Sequence, residues 1–431
     1  MHGNRRYVKL AWIGLVSALA LPAPAGAELV APTASQALLA VAPDGSPRVV
    51  FLSATDVVVA RRGGTGWAFA RAGRAPGPKP VLAGLDVDGK GRASILVEAE
   101  NGAWLALAAR GGKLKAVARP ARGSSFGPAG LTHDAAGRPA FAYAVRQRSG
   151  KTYLRLVTTD ARGRLHTHGI TKGGFPSSDI VPGAAPVLVH GRLHVVETYT
   201  NAAIDWGPKA RGGWEGQFLF ASISGSPQGK VGAAASGVNL WSSWTEQTSE
   251  GPSVLLTLSA ETQETWTAAD HGIFVSLLLD AGRPEVGAYD WVEVDDTFVY
   301  AGLLGDMAGP FTELDGRLEG YALAPGGKRQ LLLSTGSGLE WFEAPARPST
   351  RVSLNVDSSG RISGRVDGAT AGVVQVYREP GRQLVANAEL APDGSFSTQD
   401  TAPASPTLYR VVYVDPSTGI PYASLLRTPI G

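Results

Sequence analysis

Between residues 199 and 296 the chain sets aromatic and acidic side chains next to one another. Tyr199, Trp206, Trp214, Trp241, Trp244, Trp266, Tyr289 and Trp291 fall here, interleaved with Glu197, Asp205, Glu246, Glu250, Asp290, Glu293, Asp295 and Asp296. Six of the chain's ten tryptophans lie in this stretch. Flat aromatic faces stack on sugar rings, and carboxylates accept hydrogen bonds from hydroxyls. The candidate ligand-binding residues are therefore Asn201, Asp205, Trp206, Trp214, Trp244, Glu246, Asp290, Trp291 and Glu293. The competing reading is that most of these tryptophans pack between sheets.

What must position them is a repeat. Gly45, Gly91, Gly137, Gly191, Gly237, Gly282 and Gly327 recur in one local context, with gaps of 46, 46, 54, 46, 45 and 45 residues. An apolar run precedes each glycine, as in Ala37–Val41, and polar turn residues lead into it, as in Asp44-Gly45. A second strand follows, such as Arg48–Leu52, and two more come about 10 and 20 residues later. Glycine suits the positive φ of tight hairpins. Four short strands per 45 residues, without helical periodicity, is the pattern of a propeller blade.

Residues 28–346 thus resemble a seven-bladed β-propeller, which implies an all-β fold. The seventh copy has room for three strands, ending near Leu339–Glu343, and Glu28–Thr33 is expected to supply the fourth and close the ring. No Gly-His/Trp-Asp pair and no Asp-box marks a subfamily. Leu85–Gly91 is similar to the calcium loop of integrin-type repeats, but Lys90 and Ser94 stand where carboxylates are needed, so a hairpin turn is expected. In this register Asn201–Trp214, Glu246–Ser253 and Trp291–Asp296 are loops on one face of the ring. The extra length of the repeat is assigned to the first of them. Trp206, Asp205 and Trp214 are then expected at the rim of that face, not between blades.

After a linker at Ala344–Thr350, residues 350–431 hold seven alternating segments: Val352–Val356, Ile362–Val366, Val373–Tyr377, Leu384–Ala388, Ser395–Thr398, Tyr409–Val414 and Ala423–Arg427. Their number and size resemble an immunoglobulin or fibronectin III β-sandwich. Tyr409 or Tyr413 would be its corner tyrosine, or else a core tyrosine.

Residues 1–27 read as a secretory signal. Arg5, Arg6 and Lys9 precede the apolar run Leu10–Leu21, and Ala25-Gly26-Ala27 is a small-residue cleavage site. Asn4–Lys9 faintly resembles a twin-arginine signal. A secreted, periplasmic or cell-surface location is expected, with no membrane span in the mature chain. Three of the 40 basic side chains lie in this segment, leaving 37 against 37 acidic ones, so the basic balance gives no case for nucleic acid. Charge is still uneven. Residues 28–172 carry about 21 Lys and Arg against about 9 acids, and residues 240–320 about 2 against about 15. With no cysteine, thiol chemistry and disulfides are excluded.

Other groups are weaker candidates. His166 and His168 share one strand face, with His190 and His194 close behind, but no third metal ligand is assured. Arg146, Arg148 and Lys151 form a basic loop. No nucleophile elbow, phosphate loop or dinucleotide fingerprint occurs, so no cofactor is expected. The first functional reading is a non-enzymatic binding or scaffold protein for carbohydrate or for a cell-surface or extracellular protein. The alternative is a propeller carbohydrate-active enzyme with paired carboxyls about 5–9 Å apart.

Overall fold

The computed structural model describes residues 27–427 except 78, 100–101, 108–113, 119–124, 172–174, 177–182, 200–201, 222–225, 238, 249–250, 260–263, 271, 281–282, 292–296, 304–310, 345–351, 358, 380–382, 402–407, 415 and 417–420. Nearly all of the segment expected to be a secretory signal, and most of the expected linker, lie outside the described residues.

Among the described residues all regular structure is strand. β1 (Glu28–Ala31) comes first. Sheet 1 runs β2 (Ala37–Val41), β3 (Pro47–Ser53), β4 (Asp56–Gly63), β5 (Gly66–Arg74), and sheet 2 runs β6 (Val81–Val87), β7 (Ala93–Ala99), β8 (Gly102–Leu107), β9 (Lys115–Ala118). Sheet 3 has a divided inner strand, β10 (Ser125–Phe126) and β11 (Gly130–His133). Next come β12 (Pro139–Arg146) and β13 (Lys151–Thr159), and the outer edge is divided too, into β14 (Leu165–Gly169) and β15 (Phe175–Pro176). Sheet 4 runs β16 (Ala184–Val189), β17 (Arg192–Tyr199), β18 (Ala202–Pro208), β19 (Trp214–Ala221). Sheet 5 runs β20 (Ser226–Ser236), β21 (Asn239–Thr248), β22 (Gly251–Ser259), β23 (Glu264–Asp270), and sheet 6 runs β24 (Gly272–Asp280), β25 (Arg283–Trp291), β26 (Thr297–Leu303), β27 (Phe311–Asp315). Sheet 7 has β28 (Arg317–Leu323), β29 (Arg329–Thr335) and β30 (Gly338–Ala344), and β1 completes it, pairing Glu28 with Trp341.

Each inner strand touches the inner strand of the next sheet, from β2 through β6, β11, β16, β20, β24 and β28 back to β2. The result is an all-β, propeller-like ring. Position in a sheet explains strand composition. The second strands are covered on both sides, so β3 and β7 are almost wholly buried, whereas the outer strand β14 is exposed throughout.

The repeated glycines sit in the turns between first and second strands. Gly45, Gly91, Gly137, Gly191, Gly237 and Gly327 all have φ between +60° and +81°, and Gly282 lies outside the described residues. At Gly91 the turn is locked by Asp88, whose Oδ1 accepts from the Lys90 and Arg92 amides at 2.9 Å and whose Oδ2 accepts from Arg92 Nε at 2.6 Å. Asp134 with Arg138, and Asp160 with Arg164, repeat this pattern. Both oxygens of Asp88 thus serve the hairpin at Leu85–Gly91.

One sequence expectation is corrected here. The long gap between Gly137 and Gly191 belongs to sheet 3, which carries the extra strand β15 paired to β13. Residues 202–208 are not loop: they form β18, because Ala-Ala-Ile-Asp-Trp continues the alternation of a strand. Glu246–Ser253 likewise falls mostly within β21 and β22.

The seven C-terminal segments all form strands. β31 (Val352–Val356), β32 (Arg361–Val366) and β35 (Ser395–Gln399) make one sheet. β33 (Val373–Glu379), β34 (Gln383–Glu389), β36 (Leu408–Val414) and β37 (Pro421–Arg427) make another. Between them lies a core of Val352, Ile362, Val374, Val376, Phe396, Tyr409, Val411 and Tyr413. β37 also pairs with β27, through Phe311↔Ala423 and Thr312↔Tyr422, and so extends sheet 6.

Inner-strand glycines set how closely the sheets approach. A Cβ on Gly130 would lie 2.8 Å from Ala185 Cα, and one on Gly84 2.6 Å from Leu131 Cβ. Gly130→Ala is expected to destabilise the protein by about 1–3 kcal/mol through overpacking, read as a fall in thermal midpoint. An unchanged midpoint would show that sheets 3 and 4 do not meet this tightly.

Candidate functional site

The structure disperses the predicted aromatic–acid platform. Asp205 and Trp206 are adjacent on β18 and point to opposite faces of sheet 4. Asp205 is on the side of sheet 5, with His194 Nδ1 3.0 Å from its Oδ1. Trp206 and Trp214 face sheet 3, where both rings pack against the cluster that includes Ala142, Leu154, Leu156, Ile170 and Val195. The expected placement of these residues at a rim loop is therefore corrected: the two rings lie between sheets, half-buried. Trp244 is 1 % exposed in the core between sheets 4 and 5. Glu246, two residues on along β21, is buried on the same face. Asp290 and Trp291 end β25, while Asn201 and Glu293 lie outside the described residues.

A different constellation does align for chemistry. Ser94 Oγ on β7 is 2.9 Å from His133 Nε2, and His133 Nδ1 on β11 is 2.8 Å from Asp86 Oδ2 on β6. A hydroxyl, an imidazole and a carboxylate in this order are the components of a serine nucleophile. Access decides the matter. Ser94 is 2 % exposed, whereas the carboxylate of Asp86 is about one-third open to solvent. A working nucleophile needs the reverse, an open hydroxyl and a shielded acid. The relay instead bolts sheet 2 to sheet 3. The sequence held a signal for it. Asp86 and Ser94 face each other across a hairpin, and His133 follows about one repeat later.

Two buried glutamates also went unassigned. Glu98, at the end of β7, receives the Ala129 amide, and burial pushes its carboxyl up to about 8. Glu197, at the end of β17, is fully buried, and its carboxyl is pushed up to about 7 by burial, against the lowering effect of Trp206. Trp206 Nε1 donates to Glu197 Oε2 at 2.9 Å. The other oxygen of each carboxyl has no partner among the described residues. Glu98 faces sheet 3 from sheet 2, and Glu197 faces it from sheet 4, as their strand-mates Leu96 and Val195 do. Both are kept from solvent by the packed sheets around them.

No family model matches the chain, and no curated protein matches it in sequence. Similar solved structures include AofleA from Arthrobotrys oligospora, 13 % identical over 66 % of this chain and 87 % of that one, with a TM-score of 0.43. A Hadza microbial sialidase, Hz136, is 13 % identical over 70 % and 74 %, with a TM-score of 0.44. The WD40 domain of SCAP from fission yeast is 10 % identical over 90 % and 91 %, with a TM-score of 0.36.

The packing and the acids each give an expected outcome. Trp206→Ala should cost about 2–4 kcal/mol in chemical denaturation, since it empties part of the sheet 3–4 interface. The glutamates make stability depend on pH. Their folded pKa values lie above the ordinary 4.5. Their contribution is therefore complete below pH 4.5 and is lost as pH rises towards 7 and 8. Over that window each carboxyl contributes a slope of up to about 1.4 kcal/mol per pH unit. Glu98→Gln/Glu197→Gln should flatten the fall in thermal midpoint between pH 5 and 8; an equally steep fall in the double variant would rule these acids out as its source.

Proposed function

We propose that the chain is an exported seven-bladed β-propeller followed by an immunoglobulin- or fibronectin III-like sandwich, and that it acts as a non-enzymatic binding protein for carbohydrate. The ring of inner-strand contacts and the closing strand β1 support the blade count. The two-sheet C-terminal core supports the sandwich. The short apolar run and small-residue site at 10–27 support export.

The observation that carries the non-enzymatic reading is the inverted access of Ser94, His133 and Asp86. The described groups best aligned for hydrolysis bind two sheets together, and the hydroxyl that would attack is buried while the carboxylate is the open end. A second reading, a carbohydrate-active enzyme using paired carboxyls, draws on Glu98 and Glu197, which hold their protons near neutral pH as a general acid must. Their burial weighs against it, because a general acid has to reach the leaving oxygen.

A glycan array, run beside hydrolysis assays on the same oligosaccharides, tests both. Binding without turnover is expected. Turnover that disappears in Glu98→Gln or Glu197→Gln would replace the binding reading with the enzymatic one. Ser94→Ala is expected to lower the thermal midpoint and to leave glycan binding unchanged.

A further inference from the structure

The outer halves of sheets 3 and 4 form a wedge whose two walls differ in chemistry. His168 lies opposite Leu156 on the neighbouring strand, and His166 opposite Thr158. Directly opposed residues share a face, and Leu156 packs towards sheet 4. Both imidazoles therefore face sheet 4, from an edge exposed along its whole length. His168 Nε2 is 3.0 Å from Thr158 Oγ1. On the facing wall Trp206, Trp214 and Phe218 share one side of sheet 4, through the pairs Trp206↔Gly216, Pro208↔Trp214 and Ile204↔Phe218. A Cβ on Gly216 would lie 3.0 Å from the Trp206 ring, so that ring spreads across the next strand. Phe218 is 62 % exposed.

The wedge is also charged at one end. The turns at 160–164 and 209–213 both join a third strand to an outer strand, so they open on the same side of the ring. They carry Arg162, Lys209 and Arg211, all exposed, whose side chains make no hydrogen bond or ion pair among the described residues; the Arg162 and Lys209 backbones are used in the turns themselves. The nearby acid of these turns, Asp160, is already engaged by Arg164 and His166.

We propose that this wedge binds an anionic saccharide, carboxylated or sulfated, with the sugar ring against Trp214 and Phe218 and the acid group at Arg162, Lys209 and Arg211. The inference rests on the carbohydrate-binding reading above and deepens it. An aromatic wall takes the apolar face of a sugar, imidazoles and a hydroxyl take its ring substituents, and the basic turns take its charge.

The test is titration of the mature chain with a galacturonate oligomer, a heparin-derived oligosaccharide, a neutral malto-oligosaccharide and an oligothymidylate of matched charge, read by tryptophan fluorescence and calorimetry. Binding of at least one of the two acidic saccharides is expected, and which one separates carboxylate from sulfate. Arg162→Ser/Lys209→Ser/Arg211→Ser should weaken it by about 10-fold or more and reduce the salt dependence, and Phe218→Ser should weaken it by about 3–10-fold at unchanged salt dependence. The pair Lys79→Ser/Arg148→Ser, elsewhere on the surface, should change neither. Thermal midpoints of these exposed variants report that the fold is intact. If the acidic saccharides bind and the wedge variants bind like wild type, the site is wrong while the carbohydrate reading survives. Binding of the neutral sugar alone, or of the oligothymidylate equally tightly, overturns the anionic-saccharide assignment. Absence of any glycan binding overturns both readings.

Discussion

The ring depends on how closely neighbouring inner strands can approach. Each sheet is a twisted ribbon that covers its apolar faces with the sheets on either side, so the inner strands have to crowd together. At Gly84, Gly130 and Gly320 a Cβ would meet the next inner strand at 2.5–2.8 Å. The absence of a side chain at these positions is what lets the neighbouring inner strands approach this closely. Once they do, runs such as Val49–Leu52 and Ile95–Val97 are sealed on both sides. The hydrophobic clusters are therefore interfaces between sheets, not one central core.

Polar side chains then fix the angle between sheets. Gln36 donates to Pro80 O and accepts from the Leu82 amide, joining sheet 1 to sheet 2. Tyr321 and Arg329 of sheet 7 both donate to Glu285 of sheet 6. Gln330 reaches Gly45 O, across the point where the ring closes. Ser94, His133 and Asp86 belong to this class. Such groups are hydrogen-bonded because a buried polar atom left alone costs more than its bond contributes. Chemistry-bearing residue types at an interface between sheets are thus held by the geometry of the ring, and that is a poor place from which to reach a substrate.

This bears on what was legible in the sequence. The repeat was, because it is written in turn glycines whose φ leaves little choice of residue, and so was the closing strand at Glu28. The alternating C-terminal segments were legible for the same reason of periodicity. The candidate site was not. Asp205 and Trp206 look like partners in sequence, yet a strand sends them to opposite faces. Trp244 reads as a ligand platform until the neighbouring sheet covers it. The extra residues were assigned to Asn201–Trp214, although the lengthened interval ends at Gly191, and sheet 3 absorbs them as β15. His166 and His168 were seen on one face, but what that face opposes is set by the next sheet, about 40 residues further on. Facing depends on register, and register between sheets is a tertiary property.

The closing strand also has a consequence in time. β1 is the first strand of the ring to be synthesised, and its partner β30 is the last. Apart from the later addition of β37 to sheet 6, sheets 1 to 6 each pair strands from a stretch of about 50 residues, so they can form one by one as the chain emerges. β1 has no such local partner. It must wait, with Leu29 and Val30 unpaired, while some 300 residues follow. Loop closure over that span is slow compared with hairpin formation. The growing chain therefore carries an open strand at its leading end for nearly its whole synthesis, and an open β30 edge persists until that strand returns. Both are templates for pairing with another copy. The vulnerability of this molecule to misassembly is thus greatest at the β1–β30 seam, with the β27 edge, which waits for β37, as a second late-closing site.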